Sequence, residues 1–347
     1  MPKVILSHDD LESKRKEFYT YHNTFIEELL SYPGISGDLS EVVDWWRRAF
    51  EHSLTDGQMN RGFSAYLTAV TLAEQGGKLT DDFKRSAAAL GYALEVLRES
   101  FLIEEDIVNK SETRRGRPCW YRVDGVSMMA INDAGVMESF AHELIKFHCE
   151  ANKNYEKILE IYEDSQLKAL AGYTADVLFE SKRSTTFLDE CKFSRYRKIA
   201  EFKTVYPNIY CPVLAGMLLA GEDNENKIEE CGKILVALGE YLQARDDCCS
   251  DATKTGESIM NGKCSWQLVK ALELVNKTQR KVLEENYGKA SSECVNRVTA
   301  VFKDLNIWDE FKAYEKKALI EFHDMINASS VGETVSTLLQ TILKLSK

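Results

Sequence analysis

The chain is predicted to fold as an all-α protein, on three observations. Apolar residues recur at three- and four-residue steps through long stretches. Only five prolines and nineteen glycines punctuate 347 residues. No β-alternating series with Asn-Gly or Asp-Gly turns stands out. The clearest helix is KIEECGKILVALGEYLQARDD, where Ile228, Cys231, Leu235, Leu238 and Leu242 make one apolar face. Similar patterns run through residues 39–50, 81–103, 131–147, 155–179 and 309–325, so about ten or more helices are expected. They are punctuated at Tyr32-Pro33-Gly34, Asp56-Gly57, Gly76-Gly77, an arginine-rich segment near residue 115, and residues 221–224. These are short loops, and no repeat or low-complexity linker separates them. A single helical domain over residues 1–347 is expected.

Composition narrows the function. An apolar fraction of 44% supports a substantial core. A net charge of −11 argues against general affinity for nucleic acid or anionic membranes. Any anionic ligand must then be captured locally, by a few placed cations or a metal. Nine cysteines, an odd number without a CxxC pair, point to a reducing, cytoplasmic setting. The N-terminal residues turn acidic too early for a signal peptide, and the apolar run at 211–220 is too short to span a bilayer.

Residues 104–121, EEDIVNKSETRRGRPCWY, hold four acids and three arginines behind an apolar helix. Glu105 and Asn109 are four apart and Asp106 and Asn109 three apart, so on a helix they share a face. Magnesium favours such a set: a few oxygens, with waters and phosphate completing the shell. Arg114 and Arg115 follow at once, and guanidinium binds phosphate bidentately. A solvated helix end with internal ion pairs is the other reading. A second acidic helix end, Arg245-Asp246-Asp247-Cys248-Cys249-Ser250-Asp251, lies about 140 residues on; Asp246 and Ser250 repeat the four-residue step. Facing helices of a bundle commonly build metal sites from such ends. Lys203 and Lys263 are candidate phosphate cations.

EDIVNKSETRRGRPCWYR resembles the first aspartate-rich region of farnesyl diphosphate synthases, DDxxDxSxTRRGxPCWYR. Four further blocks resemble that family in order: DGQMNRG (GGKxNRG), EFKTVYPNIYCP (YKTAFYSFYLP), LQARDD (FQxQDDYLD) and NGKCSW (DNKCSW). The resemblance implies the isoprenoid synthase fold, antiparallel helices around a central cavity, and a homodimer. It further implies three magnesium ions on a prenyl diphosphate, held by Glu105, Asp106, Asn109, Asp246, Asp247 and Ser250. Arg114, Lys203 and Lys263 would grip the leaving diphosphate, and Arg61 and Arg115 a second one. Gln243, Tyr173, Tyr206, Phe101 and Ser100 would line the substrate cavity, the last two at its floor.

The departures set the expected activity. Glu105 and Asn109 replace two aspartates, Ser250 replaces another, and Gln58 stands where the family has lysine. Loss of that lysine weakens the isopentenyl diphosphate site. The expectation is therefore a class I terpene synthase that ionises farnesyl diphosphate and closes the cation to a sesquiterpene. The alternatives are a divergent prenyl diphosphate synthase and a non-catalytic paralogue that binds prenyl diphosphate.

Overall fold

The computed structural model describes residues 6–31, 39–55, 57–181, 187–249 and 252–345. The expected boundaries at Pro33-Gly34 and Asp56, and the candidate ligands Ser250 and Asp251, lie outside the described residues. The helices are α1 (His8–Thr20), α2 (His22–Leu30), α3 (Ser40–Leu54), α4 (Asn60–Gln75), α5 (Asp81–Asn109), α6 (Met129–Cys149), α7 (Tyr155–Ser181), α8 (Phe187–Glu190), α9 (Phe193–Ala200), α10 (Cys211–Leu219), α11 (Glu225–Cys249), α12 (Ala252–Asn261), α13 (Trp266–Leu274), α14 (Lys277–Asn286), α15 (Ser292–Asp304), α16 (Ile307–Ala328) and α17 (Glu333–Leu345). All-α was the right class, and every helix read from periodicity is present, with longer ends than the pattern predicts. Helix 81–103 continues six residues to Asn109, because the acidic motif is helical too.

Two details escaped the periodicity. Thr113–Arg114 (β1) and Arg117–Pro118 (β2) form a two-residue antiparallel ladder inside the arginine segment. Residues Glu201–Tyr210, which join α9 to α10, are wound as a π-helix with Pro207 inside. Proline cannot donate to the helical ladder, and a wider turn accommodates the missing bond.

The chain divides into two compact units, each assembled from separate stretches: Met1–Asp164, Cys211–Ile228 and Val331–Lys347 form one, Ser165–Tyr210 and Glu229–Ser330 the other. In the first, α5 packs on α4 and α6, and α10 and α17 pack on α4. Its core holds the fully buried rings of Phe18, Phe63, Tyr66 and Tyr92. In the second, α9 and α16 pack on α13, and α12 and α14 on α15. Its core is built on Trp266, Leu268, Phe302 and Phe311.

Candidate functional site

In the first unit the site is organised by one face of α5. Glu95, Glu99 and Asp106, at four- and seven-residue steps, are each no more than 5% exposed. A buried carboxylate is costly unless paired, and each has an arginine. Arg61 Nη1 lies 2.8 Å from Glu95 Oε2, while the Gly62 amide donates to Oε1 at 2.7 Å. Arg115 Nη2 donates to Glu99 Oε1 at 2.7 Å. Arg114 makes a two-pronged bond to Asp106, Nε at 2.8 Å and Nη2 at 2.7 Å. The first pair needs α4 and α5 to touch. A Cβ on Gly62 would stand 2.5 Å from the Gly91 carbonyl and 2.9 Å from the Glu95 side chain.

The arginines are aimed by the hairpin. Its two turn residues, Arg115 (φ +52°) and Gly116 (φ +75°), both take the left-handed region, as the tight turn between twisted strands requires. Arginine is strained there, and the Arg115 head is held by Glu99 and by the Ser53 carbonyl at 3.0 Å. Beyond the hairpin, Trp120 donates to Asp133 at 2.8 Å, as Trp45 does at 2.9 Å. Tyr121 closes onto the Ser111 carbonyl at 2.7 Å. The CWY triplet therefore anchors the arginine loop. Glu99, Leu102, Asp106, Arg114, Arg115 and Trp120 help line a cavity of about 30 Å³, room for about one water.

Glu105, Asp106 and Arg114 come together at the end of α5. Asp106 gives both oxygens to Arg114, Glu105 lies 3.7 Å from the same guanidinium, and Asn109 is exposed. Glu104 is pushed up from the usual carboxylate range by burial, and Glu138 by burial and then by Glu104. Among the described residues no three acids, histidines or cysteines are set as a ready metal cage. The donors are nonetheless hard oxygens, which suit magnesium held by one or two carboxylates with phosphate completing the shell. In the first unit Glu105 and Asn109 are donors of that kind, and in the second Asp246 is another. Ser100 and Phe101, expected at the cavity floor, are buried, the Ser100 hydroxyl donating to the Leu97 carbonyl at 2.6 Å.

In the second unit, Lys203 Nζ lies 2.6 Å from Asp176 and 4.7 Å from the Tyr173 ring centre. Gly172 makes this possible, since a Cβ there would meet the Lys203 amide at 2.5 Å. Tyr206 carries Lys168 over its face at 3.8 Å, so a cation already sits on a ring expected to face a carbocation. Gln243 accepts from Thr204 at 2.7 Å and donates to Asp247 Oδ1 at 2.8 Å. Asp247 Oδ2 accepts from the Trp266 amide at 2.8 Å, and burial raises its carboxyl to about 6. Asp247 thus pins the start of α13, just after Lys263, whose own carbonyl accepts from Tyr287 at 2.8 Å. Asp246 beside it is exposed.

Sequence reasoning missed Glu95 and Glu99, the carboxylates that orient Arg61 and Arg115. The usable signal was two acids one turn apart, at 95 and 99, inside an otherwise apolar helix.

An all-α fold with this arginine hairpin and acidic helix end defines a class of proteins, and the comparisons agree. Residues 43–305 match the polyprenyl synthetase family, and the chain belongs to it. A farnesyl pyrophosphate synthase of Ganoderma lucidum is 34% identical over 89% of this chain and 88% of its own length. One from Schizosaccharomyces pombe is 35% identical over 90% and 91%. The solved farnesyl diphosphate synthase of T. brucei superposes with a TM-score of 0.88 at 24% identity, covering 96% of this chain and 99% of that one. These relatives overturn the expected sesquiterpene synthase. That expectation weighted Gln58 and the altered acids, yet Arg61, Arg114 and Arg115 are all retained and each is oriented by a buried carboxylate. Chain elongation is favoured over cyclisation.

Proposed function

We propose that the protein is a prenyl diphosphate synthase that joins isopentenyl diphosphate to an allylic diphosphate. The observation that carries this reading is the set of three arginines held by Glu95, Glu99 and Asp106 along one face of α5. Guanidinium placed in advance binds a diphosphate without paying to order a long side chain. Arg61 and Arg115 take the isopentenyl diphosphate, and Arg114, Lys203 and Lys263 the allylic one. The allylic C–O bond breaks with its electron pair leaving on diphosphate. The isopentenyl double bond attacks the allylic carbon, and loss of one proton restores a double bond. The cations stabilise the charge that develops on the leaving group. Magnesium at Glu105, Asn109 and Asp246 would supply further charge neutralisation. Ser100 and Phe101 are assigned to the floor that limits the product, with farnesyl diphosphate the expected length. Residues 1–347 act as one domain in this reading, since neither unit is a continuous segment, and the setting is cytoplasmic.

The protein is tested with magnesium chloride and geranyl diphosphate, with and without isopentenyl diphosphate. A longer diphosphate is expected only when both substrates are present. A hydrocarbon from one substrate alone, or no product at all, overturns the reading. Asp246→Ala is expected to lower kcat by at least about a hundredfold, the scale of losing an electrostatic stabiliser of the leaving group; unchanged turnover would remove Asp246 from the site.

A further inference from the structure

Away from the diphosphate-binding residues of the first unit, two thiols of the second unit stand in contact. Cys191 Sγ and Cys264 Sγ are 3.0 Å apart, although the residues are 73 positions apart in the chain. They are 4% and 7% exposed, and both are reduced. A disulfide needs sulfurs about 2.05 Å apart, so a closure of about 1 Å separates contact from bond. Cys191 also helps line a groove of about 310 Å³ with Leu188, Lys192, Phe193, Val269 and Leu272. The groove borders Cys191, one member of a pair that is otherwise buried.

We propose that Cys191 and Cys264 form an oxidative modification site at which a peroxide closes a reversible disulfide. The Cys191 sulfur attacks a peroxide oxygen: an S–O bond forms, the O–O bond breaks, and the thiol proton leaves with the departing hydroxide as water. The Cys264 thiol then attacks the Cys191 sulfur. The S–S bond forms, the S–O bond breaks, and hydroxide leaves with the Cys264 proton as a second water. Two thiols have lost two electrons and two protons, and the peroxide has been reduced. The hydrogen bond to Cys191, and then burial, hold the Cys264 thiol far above its ordinary range. Cys191 lines the groove and Cys264 does not, so Cys191 meets the oxidant and Cys264 resolves the intermediate. Cys264 sits between Lys263 and Ser265, and Ser265 caps α13. The bond therefore ties the Lys263 loop to the chain entering α9.

The folded full chain is titrated with hydrogen peroxide, its remaining thiols are blocked under denaturation, and its peptides are mapped by mass spectrometry without reduction. A linked Cys191–Cys264 peptide is expected while the buried Cys211 and Cys231 remain alkylated, and dithiothreitol returns both thiols. Oxidation at the exposed Cys249 without the linked peptide overturns the proposal, as does a link that forms only after unfolding. Oxidised protein is also expected to melt several degrees higher than reduced protein, and Cys191→Ala to abolish that gain; an equal gain in the variant overturns it. The mapping needs no turnover, so its failure is distinct from failure of the prenyl-transfer reading.

Discussion

Gln58 stands where the family pattern has a lysine, and its backbone is held in place. Its carbonyl accepts from Arg15 at 3.0 Å and from Tyr19 at 2.9 Å, while the side chain is exposed and touches Asn60 at 3.1 Å. The backbone is therefore fixed from behind, and a longer cation can be added without a clash. Gln58→Lys is expected to raise kcat/KM for isopentenyl diphosphate about tenfold, mainly through KM, the scale of one charge-assisted hydrogen bond. Steady-state rates with isopentenyl diphosphate varied measure it, and an unchanged KM would place residue 58 away from that substrate. At this scale the sequence was readable where the chemistry is local. Arg114 and Arg115 follow the acids directly, and their phosphate-binding character needs no fold. Glu95 and Glu99 could be noticed by their spacing, but not their role, which depends on arginines 34 positions before and 16 positions after them. The same residue scale explains the error over cyclisation: substitutions can be seen in the sequence, whereas the retained orientation of Arg61 cannot.

Among elements, the α4–α5 crossing governs the site. Gly62 and Gly91 lie back to back, so the helix axes approach until Arg61 reaches Glu95. Gly62→Ala would place a methyl 2.5 Å from the Gly91 carbonyl. It is expected to cost about 1–3 kcal/mol as overpacking forces the helices apart. It should also raise KM for isopentenyl diphosphate, because Arg61 moves with α4; thermal melting and kinetics together check this, and a stability loss without a KM change would separate Arg61 from binding. A second contact sets a pH dependence. His148 on α6 has Nε2 2.8 Å from Glu28 on α2, and burial, then the Arg85 charge, lower its pKa from 6.5 to about 4. Between those values the unfolded chain binds a proton that the folded one refuses. Stability is thus full above pH 6.5 and falls as the pH drops towards 4. His148→Gln keeps a donor for Glu28 and removes the titration, so its denaturant midpoint should decline less over that window. Parallel curves for the two proteins would exclude the imidazole. Helices themselves were legible because a 3.6-residue period is written in the chain. The Arg115-Gly116 hairpin was not, since arginine is a poor marker of a left-handed turn and tertiary bonds hold it there.

For the whole molecule, the prediction concerns assembly. In the first unit Met128, Met129, Ile131 and Phe147 of α6 and the residue before it are 50–79% exposed, and Val108 at the end of α5 is 55% exposed. Large apolar side chains at that exposure are candidates for a contact surface. Among the described residues no helix is long and apolar enough to cross a membrane, and a net charge of −11 opposes an anionic lipid surface. The resemblance implies a homodimer, and if a second copy of the chain covers these side chains, a two-fold interface would use the patch twice. Light scattering is then expected to report twice the 39.5 kDa chain mass. Met128→Glu combined with Ile131→Glu should lower this to the single-chain value by burying unpaired charges at the contact. Both substitutions lie on exposed positions, so far-ultraviolet circular dichroism should remain helical. A wild-type protein that runs at 39.5 kDa across micromolar concentrations would mean that these exposed side chains are not a dimer contact.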